Sequence, residues 1–388
     1  MLLPYLLIGL LCLWGIGLRK ESDGDYLSRE QGNAVKGIFI LMVLVSHSNQ
    51  YVADAGYAYS RWSDSLFLQA GWLFGQLVVV MFLFFSGYGV MTAVRNKGEA
   101  YVRAMPRHRI LSVLLSFDIA VVCFALAGLL LGKTYPAGTY LLALTGWESI
   151  GNSNWYIFVI LLCYLATWMA AKVSRSDGMT LVLTTVLLGG AYAALSATKE
   201  AYWYNTLAAY PFGMVVCLLK GRLDSLGRVP YWSVLSLSVL LLALTYTHHE
   251  DPFQLVYSAR GILFATVIVL LLMKVRVGNP AWEWLGRNLF PIYVYQRLPM
   301  MVLAFFNPFG ILTECPVVFV LASTALTLLL VPLTRRLQVR LELQDRIDLF
   351  GGNGLLVLRA VIEIPDFLPF VRVTVLAFRN AHQFIQQG

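Results

Sequence analysis

The chain has 388 residues, of which 59% are hydrophobic and only 13% charged, about half the charged share of an ordinary soluble domain, and its mean hydropathy is +0.69. A water-soluble fold has no means of hiding that much apolar surface, so the bilayer is the solvent in which the chain is to be read. The net charge of +8 is carried by short clusters between apolar runs and forms no basic stripe, which excludes nucleic acid as a partner.

Residues 2–18 are apolar, with no basic residue before them and Arg19 and Lys20 directly after. That flank is wrong for a cleaved signal and predicts a first membrane helix with its N-terminus outside. Further apolar runs follow near 34–53, 72–94, 110–132, 154–171, 179–197, 203–219, 230–247, 253–273, 282–305 and 315–334. Each suffices to cross a hydrocarbon core of about 30 Å as a helix. The expected fold is therefore all-α, a bundle of about eleven transmembrane helices.

Loop charge tests this count, because cytoplasmic loops collect Lys and Arg. One set of alternate loops carries sixteen basic residues, from Arg19, Lys20, Arg29 and Lys36 through Arg95–Arg109 to Lys274 and Arg276, whereas the other holds only Arg61, Lys133 and Lys199. The chain thus reads as a multi-pass protein of the cell membrane with a cytoplasmic C-terminus. From Arg335 onward charge interrupts the apolar stretches, and residues 335–388 read as a cytoplasmic, partly amphipathic tail whose 355–384 stretch lies on the leaflet or under the bundle. Five cysteines show no CxxC spacing and four sit in apolar runs, so they read as small buried hydrophobes. His248, His249, Glu250 and Asp251 form a cluster of metal-ligand types, but consecutive ligands in a short outer loop make a solvated turn, and no metal is expected.

Ionisable side chains inside spans are costly and therefore candidates for function. They are His47, Asp118, Arg260, Glu283, Arg287 and Arg297. His47 lies well past the middle of the second span, between Ser46 and Ser48, and imidazole is the side chain best suited to take and return a proton near neutral pH. Arg260 and Arg297 either line a substrate conduit or pair with Asp118 or Glu283. Gly87 and Gly89 read as close helix contacts.

The segment REQGNAVKGIFILMVLVSHSNQY, with FLFFSGYGV at 82–90, the basic run 95–109, NWYIFVILLCYL at 154–165 and WLGRNLFPIYVYQ at 284–296, resembles in order the signatures of the membrane-bound acyltransferase family 3. The resemblance covers about residues 30–335. It implies an acyl-CoA-dependent O-acyltransferase of cell-envelope glycans, with residues 1–30 as an extra N-terminal helix and linker and residues 31–334 as the ten-helix core. It also implies His47 as the catalytic residue and general base. Arg103, Arg107 and Arg109 would hold the phosphates of acyl-CoA, guanidinium being suited to phosphate oxygens. Ser48, Ser86, Tyr88, Asn154, Trp155, Arg260, Tyr293, Gln296 and Arg297 would line the cavity. Acyl-CoA, with acetyl as the commonest acyl group, would be a co-substrate, and no permanently bound cofactor is expected. The expected partners are membrane lipid, acyl-CoA and an envelope glycan or lipid-linked saccharide acceptor; a homodimer is left open. Two positions depart from the family pattern: Pro106 stands at the first place of its Arg-x-x-Arg pair, and Gln296 where its tenth-span motif often has histidine. Two other readings use the same residues, a transporter or flippase-like protein for an anionic or glycan substrate and a non-catalytic family member.

Overall fold

The computed structural model describes residues 1–20, 24–247 and 254–348. The cluster at 248–251 and the expected surface helix at 355–384 lie outside the described residues. The elements in order are α1 Leu3–Gly15, β1 Ile16–Leu18, α2 Arg29–Asp54, α3 Trp62–Phe74, α4 Leu77–Met105, a π-helical turn Pro106–Leu111, α5 Ser112–Leu130, α6 Ala137–Leu144, α7 Trp155–Val173, α8 Asp177–Thr198, α9 Ala209–Asp224, α10 Arg228–Thr245, α11 Leu255–Lys274, β2 Val275–Val277, α12 Pro280–Arg287, α13 Leu289–Tyr295, α14 Arg297–Phe306 and α15 Pro316–Asp348.

The protein is an all-α membrane protein. Among the described residues seven helical stretches are long and apolar enough to cross a bilayer, one of them the continuous run Trp62–Leu130, which contains two of the spans expected from sequence. α1 is apolar but has only 13 residues, and α2 is diluted by Glu30, Gln31, Asn33 and Lys36. The expected span 282–305 is broken into α12, α13 and α14. Pro291 and Pro299 lie within it and lack the N–H that a continuous helix needs. The breaks turn Asn288 and Gln296 into helix-end residues.

Two pairs of helices approach until backbone meets backbone. A Cβ on Gly37 of α2 would fall 2.1 Å from the Trp282 carbonyl oxygen, and one on Gly286 of α12 would fall 1.8 Å from that of Asn33. The same reciprocal arrangement joins Gly87 of α4 to Tyr210 and Gly213 of α9 to Phe84. In lipid, where apolar burial gives helices no reason to associate, this closeness supplies the dispersion that holds them together. Gly89 meets nothing within 4 Å. Two residues along a helix turn the side chain to the far face, so the expected contact exists at Gly87 and not at Gly89.

The end of the bundle bearing Arg19 is tied by a small antiparallel ribbon, Ile16 to Leu18 against Val277 to Val275. Arg19 donates to Gln31 Oε1 at 2.7 Å, and Gln31 donates to the Val277 carbonyl. Ser28 caps α2 by accepting from the Gln31 amide at 3.2 Å, which satisfies one of the free N–H groups of the first turn. The start of α2 is thereby fixed against α12, and the far end of α2 carries His47.

Candidate active site

His47 is only partly buried, yet its Nδ1 is enclosed and makes no hydrogen bond. The neighbouring Ser48 is fully buried and its hydroxyl lies 3.1 Å from that of Ser323 on α15, which fixes the rotation of α2 at this level. The imidazole faces the broken-helix segment. Tyr293 of α13 stands with its ring 6.2 Å away, centroid to centroid. Gln296 lies within hydrogen-bonding reach of the imidazole, and the Arg297 guanidinium is close enough to act on it electrostatically.

Gln296 is completely buried. Its amide N–H donates to the Tyr293 carbonyl at 3.0 Å, which leaves its Oε1 buried with no donor. An unpartnered buried amide oxygen is costly, and the nearby imidazole has a ring nitrogen in the same condition. Arg297 is held at one side: Nε donates to Ser153 Oγ at 3.2 Å, Nη2 donates to Gln50 Oε1, and the guanidinium lies 6.0 Å from the Tyr51 ring. The polar ends of α2, α14 and the segment before α7 therefore meet around one imidazole.

From His47 a chain of buried hydroxyls leads toward the basic loop. Tyr156 of α7 sets its edge against Tyr293, centroids 5.1 Å apart. Ser86 of α4 lies within reach of the hydroxyls of Tyr156 and Tyr164. Tyr164 in turn lies beside Arg109, which also reaches Tyr101. Lys36, on the opening turns of α2, is close enough to feel the charge of Arg109.

Arg109, Lys97 and His108 line one cavity of about 430 Å³. Arg103 lines a separate one of about 630 Å³ with Lys172 and Arg175, and is paired at 2.7 Å with Glu99 on the exposed surface. Arg107 is exposed. The π-helical turn Pro106–Leu111 carries Arg107, His108 and Arg109.

Other expected site residues sit apart from His47. Tyr88 stacks on Phe84 at 6.4 Å and lies near Asp25 and Asp224. Asn154 donates to the Gly146 carbonyl at 2.9 Å, and Trp155 packs against Tyr202 and Tyr156. Arg260 donates to the Thr245 hydroxyl at 3.0 Å and its carbonyl at 2.6 Å, and its guanidinium lies 4.2 Å from the Tyr246 ring and 5.0 Å from that of Tyr257. It fastens α11 to the end of α10. The hydrogen bonds of Arg260 and Arg297 thus go to groups other than Asp118 and Glu283. Replacing Arg260 by Ala should destabilise the protein by about 1–3 kcal/mol, read as a lower unfolding temperature in detergent, with the KM for substrates unchanged in the folded fraction.

Lys36, Gln50, Ser153, Tyr156 and Tyr164 belong to this constellation although the sequence reading did not single them out. Lys36, Gln50, Tyr156 and Tyr164 lie within the quoted segments 29–51 and 154–165, whereas Ser153 lies outside them. Among the described residues no group of three or more His, Cys, Asp or Glu is placed to hold a metal ion.

The described residues thus form a helical membrane bundle with a partly enclosed histidine toward one end and basic residues toward the other. Residues 32–336 match the family model described as the acyltransferase domain of acyltransferase family 3, and the chain belongs to that family: it is a membrane acyltransferase. No curated protein and no solved structure gave a match.

Proposed function

We propose that the protein moves an acyl group, acetyl in the simplest case, from cytoplasmic acyl-CoA to a hydroxyl of an envelope saccharide or lipid-linked glycan, with His47 as the general base. The observation that carries this reading is that His47 and Gln296, two side chains within hydrogen-bonding reach, each hold a buried unpartnered atom, Nδ1 and Oε1, with Arg297 alongside. An Nδ1–H donated to Gln296 leaves Nε2 as the free base. Nε2 accepts the proton of the acceptor hydroxyl, whose oxygen attacks the thioester carbonyl. The oxyanion that forms is met by Arg297, whose Nε and Nη2 are already committed and whose Nη1 hydrogens remain. The C–S bond then breaks, and the leaving CoA sulfur takes the proton back from the imidazolium.

In this reading the chain crosses the cell membrane eleven times, counting α12 to α14 as one broken crossing, with the N-terminus outside and the Arg109 end in the cytoplasm. Lys36 and Arg109 bind donor phosphate. Replacing either by Ala should raise the KM for acyl-CoA about 10- to 100-fold with a smaller change in kcat. Arg103→Ala should have a lesser effect, because Arg103 is already paired with Glu99. The assay that tests the function uses purified protein in liposomes with radiolabelled acetyl-CoA and an envelope glycan extract. Label on the glycan with stoichiometric release of free CoA thiol supports acyl transfer. Passage of glycan across the bilayer with no consumption of acetyl-CoA would establish the transporter reading instead.

A further inference from the structure

At the end of the bundle opposite the basic loop, the segment leading into α7 and the end of α8 line an open cleft of about 480 Å³, within the roughly 300–1,000 Å³ of small-molecule sites. Trp147, Tyr202 and Trp203 give it aromatic surface, Glu148 and Glu200 give carboxylates, and Lys199 gives an ammonium. This combination has a specific chemical complement. A sugar ring presents a flat C–H face that packs on an aromatic ring, and adjacent hydroxyls that bond in pairs to a carboxylate or accept from an ammonium.

The polar groups are built in. Lys199 Nζ lies 4.0 Å from the Trp147 ring centroid and 4.6 Å from that of Trp203. It donates to the Trp147 carbonyl at 2.9 Å and approaches Glu148 Oε1 at 3.4 Å. An ammonium has three donors, so one remains for a ligand. Tyr202 rests against Trp155 at 6.0 Å and is exposed, which leaves ring surface for a sugar. Two carboxylates against one ammonium make the cavity weakly acidic and unsuited to a phosphorylated or uronic ligand.

The cavity also shares its wall with the active site. Asn154 lines it, the adjacent Ser153 holds Arg297, and Trp155 passes its packing on to Tyr156, which meets Tyr293 beside His47. We propose that this cavity is a binding subsite for neutral sugar residues of the acceptor, seating the chain so that one hydroxyl reaches His47. The proposal rests on the acyl-transfer reading for its purpose but not for its chemistry.

The test is a titration of the full chain in lipid nanodiscs, followed by tryptophan fluorescence, with chitotetraose and maltotetraose as neutral probes and tetragalacturonate as the acidic one. A saturable change with a neutral probe, at least tenfold weaker in Glu148→Gln and in Tyr202→Ala and retained in His47→Ala, is the expected result. No saturable response to either neutral probe, preference for the acidic one, or unchanged affinity in both variants would overturn it. Glu148 pairs with Lys199 and Tyr202 packs near Trp203, so the unfolding temperatures of both variants establish that a lost response is not lost fold. Acetyl-CoA turnover measured on the same preparation separates the two claims: turnover without sugar binding removes the subsite alone, and sugar binding without turnover removes the acyl-transfer reading alone.

Discussion

His47→Ala is expected to lower acyl transfer about 10²- to 10⁴-fold, the range supplied by a positioned general base, while the protein still folds and still binds acyl-CoA. The expectation of retained fold comes from the structure around the ring. Beyond the donation of Nδ1–H to Gln296 proposed above, removing the imidazole breaks no hydrogen bond of the structure. Ser48, which anchors this turn of α2 through Ser323, is untouched. The loss should therefore fall on kcat with the KM for acyl-CoA little changed, because the donor-binding groups proposed here, Lys36 and Arg109, lie toward the other end of the bundle. An equal loss of unfolding temperature and activity would mean that His47 is a packing residue.

Gly286→Ala is expected to do more damage to the fold than a methyl group added at any other glycine among the described residues. The new Cβ would stand 1.8 Å from the Asn33 carbonyl oxygen, 2.5 Å from its carbon and 2.8 Å from its Cα. All three are backbone atoms of a buried turn of α2, so no side chain can swing aside. α2 and α12 must separate, and the reciprocal contact of Gly37 with Trp282 opens with them. Overpacking ordinarily costs about 1–3 kcal/mol and more where the neighbour is rigid. Unfolding temperature in detergent should fall sharply. Activity should be lost even in the fraction that folds, because α2 carries His47 whereas Tyr293, Gln296 and Arg297 follow α12 directly in the chain. Gly89→Ala is the control: it has open space, and Ala is the better helix former by about 1 kcal/mol.

The sequence was informative about what the bilayer dictates and less so about what packing dictates. Apolar run length and the sorting of Lys and Arg read out the helical bundle without any contact being known, since both are consequences of transfer into lipid. The break of 282–305 into α12, α13 and α14 was written in Pro291 and Pro299, yet a hydropathy window averages over such residues. That break is what turns Tyr293 and Gln296 toward His47. The short helices α3 and α6 went unread because neither is long enough to register as a span.

For the site, His47, Tyr293, Gln296 and Arg297 were legible as candidates and the fold brings them together. Their partners Ser153 and Gln50 were not, being 144 and 247 residues from Arg297 in the chain and of residue types common in any loop. Arg260 shows the opposite outcome. An arginine inside a span looks functional by cost alone, but a threonine and two tyrosines satisfy it, and no periodicity would have revealed that. The basic run 95–109 read as one cluster, whereas Arg103 lines one cavity and Lys97, His108 and Arg109 line another.

The most direct test of the account is sided. Liposomes carrying the protein in one orientation are given radiolabelled acetyl-CoA either on the face of Lys36 and Arg109 or on the face of Trp147 and Lys199, with glycan acceptor on the latter in both cases. Label should reach the acceptor only when the donor is supplied at the Arg109 face, and it should fall at least a hundredfold in His47→Ala. Equal labelling from either face, or undiminished labelling in His47→Ala, would contradict it.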